Sequence, residues 1–387
     1  GRSSQVSRRG GGCIVAALAG VLACAGAPPT ALAPIPVIPA AERELSLYLI
    51  GDAGAPDSAG EPVLQALDRD LAATSTRRFV VFLGDNVYPR GLSAPGQPDR
   101  AEAERRLAAQ LGTITNAGAT GVFIPGNHDW ARFGKDGWAG VRRQQAFIDS
   151  AGHGAVTFQP TGGCPGPTVV DVGKRVRLVL LDTQWWLHGG PKPRDPDSDC
   201  AADAEPEVVD SIRSALSTAA GRLVVVAAHH PLASGGAHGG HFDWKDHLFP
   251  LRAIRPWLWI PLPLLGSLYP AARQAGFSSQ DVSSRAYQRL LAALARAFSG
   301  APPALYAAGH EHNLQVIADG SARLELVSGG GIYGHNGPAV GIKGSLFAHQ
   351  ASGYARLDVP ASGPARLAVL EVDRTGKSHE VFSRQVE

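Results

Sequence analysis

Five short clusters in this chain carry carboxylates, amides or imidazoles, four of them beside glycine. They are Gly51-Asp52-Ala53-Gly54, Gly84-Asp85-Asn86-Val87-Tyr88, Gly126-Asn127-His128-Asp129, His229-His230-Pro231 and Gly309-His310-Glu311-His312. Singly, each has a plain explanation, since Gly-Asp is a common turn, Asn-His-Asp suits a helix cap and a strand-end histidine is usually surface. As a set, each after an apolar run, they can converge, because α/β sheets bind ligands beyond the carboxyl ends of their strands. The glycines allow sharp turns and close backbone approach. Two hard metal ions about 3.5 to 4 Å apart need a bridging carboxylate and a mixture of oxygen and imidazole ligands, which this inventory supplies. The absence of thiolate from it argues against a zinc-finger-like structural site and for iron, zinc or manganese in an open catalytic one.

The elements that must position these groups follow from the apolar pattern. Short apolar runs predict strands at 45–50, 79–83, 122–124, 176–181, 223–227, 304–307 and 324–327. Helical spacing marks Val63, Leu64, Leu67 and Leu71; Val208, Val209, Ile212 and Leu216; and Tyr287, Leu290, Leu291, Leu294 and Phe298. Alternating strands and helices predict an α/β or layered α+β domain. From about Tyr354, short runs broken by Pro360, Gly363 and Thr375-Gly376 predict closing antiparallel strands.

With order and context in place, the five clusters resemble the motifs of the calcineurin-like metallophosphoesterases. Tyr88, three residues after Asp85, the run Gly309 to Gln315 (GHEHNLQ) and the spacing from His229 to His238 resemble the compact, mammalian-type purple acid phosphatases. The resemblance runs from about Leu45 to Gly331. It implies a four-layer α/β/β/α sandwich and two metal ions, Fe(III) beside a divalent Zn, Fe or Mn. Asp52, Tyr88 and His312 would hold the ferric ion, Asn127, His229 and His310 the divalent one, and Asp85 would bridge them. A phenolate and carboxylates favour a hard trivalent ion, and an amide with two imidazoles suits the divalent one. The implied reaction is hydrolysis of small phosphate monoesters by attack of metal-bound hydroxide, as in acid phosphatases.

By the same resemblance His128 donates to a phosphate oxygen or protonates the leaving group, and His238 is a second substrate-facing histidine. The alternatives are a His128 that only partners Asp129 and a His238 exposed on its loop. His229 rather than His230 is the expected ligand, since a strand alternates its faces and the resembling motif is His-x-Pro. Asp182 is expected as a hydrogen-bonding strand-end residue, and Gly329 to Gly331 as either a site rim or a plain turn. A phosphodiesterase or nucleotide hydrolase is the rival enzyme, and an envelope binding protein the rival of another class.

The 387 residues are 44% hydrophobic, enough for a large core, and 36 Lys+Arg nearly balance 34 Asp+Glu. No broad basic surface calls for nucleic acid. Arg8 and Arg9 before the uncharged run 13–25 give residues 1–25 the layout of a signal peptide, followed by a Pro-rich linker at 26–41 and a metallophosphoesterase domain at 42–387. Export to the periplasm, the envelope or the exterior follows. Cys24 suits either a lipoprotein site or ordinary processing. Cys164 and Cys200 either pair in an oxidising compartment or stay as two buried thiols. A departure from the compact pattern is an insertion at about 240–300. Its Trp- and Pro-rich part, 245–270, is either a peripheral membrane or partner contact or a loop packed over the core, since so many prolines exclude a spanning helix.

Overall fold

Strands apolar at nearly every position need cover on both faces, and the strand runs of this chain receive it in four layers. The computed structural model describes residues 35–387 except 133, 195, 197, 254–256 and 319. The expected leader with Cys13 and Cys24, and residues 26–34 of the expected linker, lie outside the described residues, as does Arg255. One seven-stranded sheet has the order β14-β13-β12-β1-β2-β3-β4 and a second the order β11-β9-β10-β8-β7-β6-β5. The first holds β1 (Arg43–Ile50), β2 (Arg77–Phe82), β3 (Thr120–Phe123), β4 (Val156–Phe158), β12 (Gly353–Pro360), β13 (Ala365–Val372) and β14 (Ser378–Val386). The second holds β5 (Thr168–Val172), β6 (Val176–Leu180), β7 (Leu223–Ala227), β8 (Leu305–Ala308), β9 (Leu314–Ile317), β10 (Glu325–Ser328) and β11 (Ser345–His349).

The alternation of each strand divides its side chains between two cores. Leu45, Leu47 and Leu49 join Leu178, Leu180, Val225 and Leu326 between the sheets. Tyr48 and Ile50 face the other way, into a core with α1 (Pro62–Ala73), α2 (Arg100–Asn116) and α3 (Gly137–Ala151). On the far side, α4 (Gln184–Leu187), α5 (Glu205–Ser217) and α8 (Arg285–Phe298) cover the second sheet through Val208, Ile212, Tyr287, Leu290 and Leu294. The result is the expected α/β/β/α sandwich. Local signals start these helices: Glu61 accepts from Val63 N with Pro62 at the first turn of α1, and Ser284 accepts from Tyr287 N at α8.

All seven strands expected from apolar runs are present. The four others outside the closing hairpins, β4, β5, β9 and β11, gave no such signal. Of these, β4, β5 and β11 are sheet edges, where one flank needs no partner and the apolar pattern is short or interrupted. The stretch expected as an insertion has two parts. Its end, α8, packs in the helical layer, while α6 (Trp244–Leu248) and α7 (Leu268–Gln274) lie before it with short 3-10 turns between them. No described helix is long and apolar enough to cross a membrane.

Cys164 and Cys200 form a disulfide across 36 residues, joining two loops that flank β5 and β6. Closing a loop of that length is worth about 3–4 kcal/mol on the chain-entropy model. A Cys164→Ser/Cys200→Ser protein is therefore expected to unfold at clearly lower denaturant with an m-value equal to or above that of the parent, since the freed unfolded chain is more expanded. A midpoint equal to that of the parent would show that the bridge does not constrain the unfolded chain.

Candidate metal centre

β1, β2 and β3 run parallel as neighbours in one sheet, and β7 and β8 run parallel as neighbours in the other. Their carboxyl ends therefore carry all five polar clusters to one edge of the sandwich. Backbone bonds lock the two sheets together there: Gly51 N donates to the Ser328 carbonyl at 2.7 Å and Gly331 N to the Gly51 carbonyl at 3.1 Å.

The seven side chains expected as ligands meet at this edge in two groups of three around Asp85. In one group the Tyr88 hydroxyl lies 3.0 Å from Asp52 Oδ1 and 3.0 Å from His312 Nε2. In the other, Asn127 Oδ1 lies 3.0 Å from His229 Nε2 and 3.1 Å from His310 Nδ1, and those two nitrogens are 3.3 Å apart. Asp85 Oδ1 stands 3.5 Å from His229 Nε2. All of these groups except Tyr88 and His312 are almost wholly buried.

The donor chemistry fits metal. His229 Nδ1 donates to the Leu83 carbonyl at 2.8 Å and His310 Nε2 donates to the Gln280 carbonyl at 3.1 Å. His229 Nε2 and His310 Nδ1 therefore both point at Asn127 Oδ1, where a bound cation would take their lone pairs in place of the proton that Asp85 favours on His229. Such crowding suits a cation and little else. Burial disfavours charge on His229, yet the Asp85 carboxylate outweighs it and lifts the ring to about 9. Burial likewise opposes ionisation of Asp85, but His229 and His128 together hold its carboxyl below the usual range. Burial and the nearby Asp52 and Asp85 raise the Tyr88 phenol well above its ordinary value. A cation between these groups reverses each of the two penalties on negative charge.

His230 has nitrogens within 4.8 Å of His229 and His310. Both are already bonded, Nδ1 to Thr183 Oγ1 and Nε2 to Gln280 Oε1, each at 2.8 Å, so its ring braces the wall of the site.

The backbone pays close attention to the carboxylates. Asp52, Asp85 and His310 all have left-handed φ, 60°, 55° and 71°, which for non-glycine residues is held only by surrounding structure. Glycines serve approach: a Cβ on Gly126 would stand 2.3 Å from Asp85 Oδ1, and one on Gly309 or Gly329 would stand 2.6 or 2.7 Å from Asp52 Oδ2. Gly329 is thus part of the site rim. Gly126→Ala, whose Cβ would also stand 2.4 Å from the Asp85 backbone N, is expected to shift the Asp85 loop and weaken metal affinity by at least about 10- to 100-fold, as read by metal titration, with circular dichroism separating loss of the site from loss of the fold. Unchanged affinity would show that Asp85 does not need its present place.

His128 sits at the mouth. Its backbone N–H donates to Asp85 Oδ1 at 2.8 Å and its Nδ1 donates to the Pro89 carbonyl at 2.7 Å, which leaves Nε2 facing the cleft. Asp129 does not hold the His128 ring. Its carboxylate accepts from the backbone N–H of Gly126, Asn86 and Val87 and so fixes the turn that carries Asp85; burial, with the charge of Asp85, raises it to about 7. Asp182, as expected, accepts from Trp130 Nε1 and Trp185 N. His238 is half-buried, its ring 4.0 Å from that of His310, with Nδ1 3.1 Å from Asp281 Oδ1.

Four further residues at the site had not been expected. Asp281 holds His238 and is bound in turn by Arg273 of α7. Arg132 and His335 line the same cleft of about 520 Å³, the latter 4.3 Å ring to ring from His312. Arg132 follows Asn127 closely enough to have been a candidate. Asp281 and Arg273 stand in an insertion without motif, and His335 in a glycine-rich loop, so none carried a local signal.

A family model for calcineurin-like phosphoesterases matches residues 45–260. Among solved structures, the GAP50 anchor in the inner membrane complex of Plasmodium has a TM-score of 0.55 and 16% identity, with 89% of each chain covered. A purple acid phosphatase from yellow lupin (Lupinus luteus) seeds has a TM-score of 0.50 and 14% identity over 88% of this chain and 53% of its own, so this chain spans about half of that enzyme. At these identities the likeness is one of fold. No curated protein sequence matches the chain at a significant level. With the family model spanning more than half of the chain, over four of the five clusters, the chain belongs to the calcineurin-like phosphoesterases.

Proposed function

We propose that this protein is an exported acid phosphatase-like enzyme that hydrolyses phosphate monoesters at a pair of metal ions, Fe(III) and a divalent Zn, Fe or Mn. The observation that carries the reading is the meeting of Asp52, Tyr88 and His312 on one side of Asp85 and of Asn127, His229 and His310 on the other. The first set, with phenolate and carboxylate, suits the trivalent ion, and the second suits the divalent one. When bound, the pair supplies an activated water and neutralises phosphate charge.

The chain's own residues do the rest. His128 donates from Nδ1 to the Pro89 carbonyl, so its Nε2 donates to a phosphate oxygen or the leaving group as the imidazolium, a form that burial opposes and the Asp85 carboxylate, 3.8 Å from Nε2, favours. His238, steadied by Asp281, faces the substrate beside His310. Arg132 and Arg252 add positive charge to the cleft wall and draw an anion into it. The disulfide supports an oxidising compartment and hence export.

Metal analysis with a visible spectrum, followed by phosphate release from an aryl phosphate, tests the reading. About two metals per chain, one of them iron, with a band that disappears in Tyr88→Phe, is the expected result. Colour that survives Tyr88→Phe would remove the phenol from the ferric site. A faster release from diesters than from monoesters would favour the phosphodiesterase instead.

A further inference from the structure

Among the described residues, most of the large apolar side chains left in solvent fall between Trp244 and Phe277: Trp257 is 71% exposed, Leu264 90% and Phe277 87%. Folded chains rarely leave such residues exposed together without a partner surface. Its described parts bond to one another: Leu262 N donates to the Leu248 carbonyl, Gly266 N to that of Leu262, and the Trp259 ring lies 5.2 Å from that of Phe249. Leu264 has φ 69°, a left-handed conformation that disfavours leucine, and it holds an apolar side chain outward.

Charge follows the same division. From His247 to Gln280 the sequence has no Asp or Glu but carries Arg252, Arg255 and Arg273. The acids just before it, Asp243 and Asp246, are occupied in the capping box of α6, and Asp281 just after it is bound by Arg273. An apolar, tryptophan-bearing surface that carries Lys245 and Arg252 and whose one acid, Asp246, is held in the cap of α6 matches the anionic face of a bilayer. It is also joined to the metal cleft. Arg252 lies 4.2 Å over the exposed Trp259 ring, and Arg252 and Tyr269 both line the cleft.

We propose that the 244–277 segment docks on an anionic lipid surface and that the substrate is a phosphate monoester carried on a lipid tail, which enters the cleft from that surface. The substrate half rests on the hydrolase reading above, and the docking half does not. The metal-loaded full chain is tested on phosphatidylcholine vesicles containing phosphatidic acid, beside a water-soluble aryl phosphate. The variant is Trp257→Glu, Leu264→Glu and Phe277→Glu together, at positions whose exposure spares the fold.

The parent is expected to float with the vesicles and release their phosphate. The triple variant loses flotation and about a hundredfold of its vesicle kcat/KM, with the aryl phosphate rate unchanged. A variant that keeps flotation and vesicle turnover overturns the inference. So does a parent that releases aryl phosphate without floating, or one that forms a dimer which the variant splits, since a second copy then covers the patch. Flotation without phosphate release from either substrate overturns the hydrolase reading and, with it, the lipid substrate.

Discussion

Asp85→Asn is expected to bind no more than about one metal per chain and to lose at least about 10⁴-fold in kcat/KM, because this carboxylate stands between the two groups of three. Asparagine keeps the size and the acceptor oxygen for the His128 backbone N–H, now 2.8 Å from Oδ1, so the fold has little reason to change. It removes the charge that His229 faces at 3.5 Å, and one ion then lacks a shared ligand. Metal analysis and circular dichroism on the same sample read the two effects apart. A variant that keeps two metals and turnover would place the bridge elsewhere.

His128→Ala should do the reverse. Alanine keeps the backbone N–H that orients Asp85 and removes only the ring, whose Nδ1 rests on the Pro89 carbonyl and whose Nε2 faces the cleft. The expected outcome is a fall in kcat of about 10²–10⁴ with metal content and spectrum unchanged. The fall should be larger for substrates with poor leaving groups, which depend most on a proton donor. Equal loss of metal in both variants would show that His128 supports the ligands rather than the reaction. An undiminished kcat would remove it from the reaction altogether.

The sequence by itself determined the parts of this protein that local pattern can carry. Runs such as Leu45 to Ile50 and Leu223 to Ala227 are apolar at nearly every position, so they had to become strands covered on both faces, and each announced its cluster by stopping at Asp, Asn or His. The spacing of Leu64, Leu67 and Leu71 fixed a helix for the same reason. Asp85 and the six side chains that meet around it were legible because each stands at or just beyond the end of such a run.

Only the tertiary structure decided what joins residues far apart in the chain. It paired Cys164 with Cys200, set Asp281 under His238 and turned Asp129 to the backbone of the Asp85 loop instead of to His128. It brought Arg273 from α7 and His335 from a loop near β11 to one cleft, and it left Trp257 and Leu264 in solvent beside it. Periodicity records how a residue relates to its own element, whereas these contacts depend on how two sheets stack and where an irregular segment crosses them. That depends on the summed packing of the whole core, to which no single stretch of sequence gives a readable share.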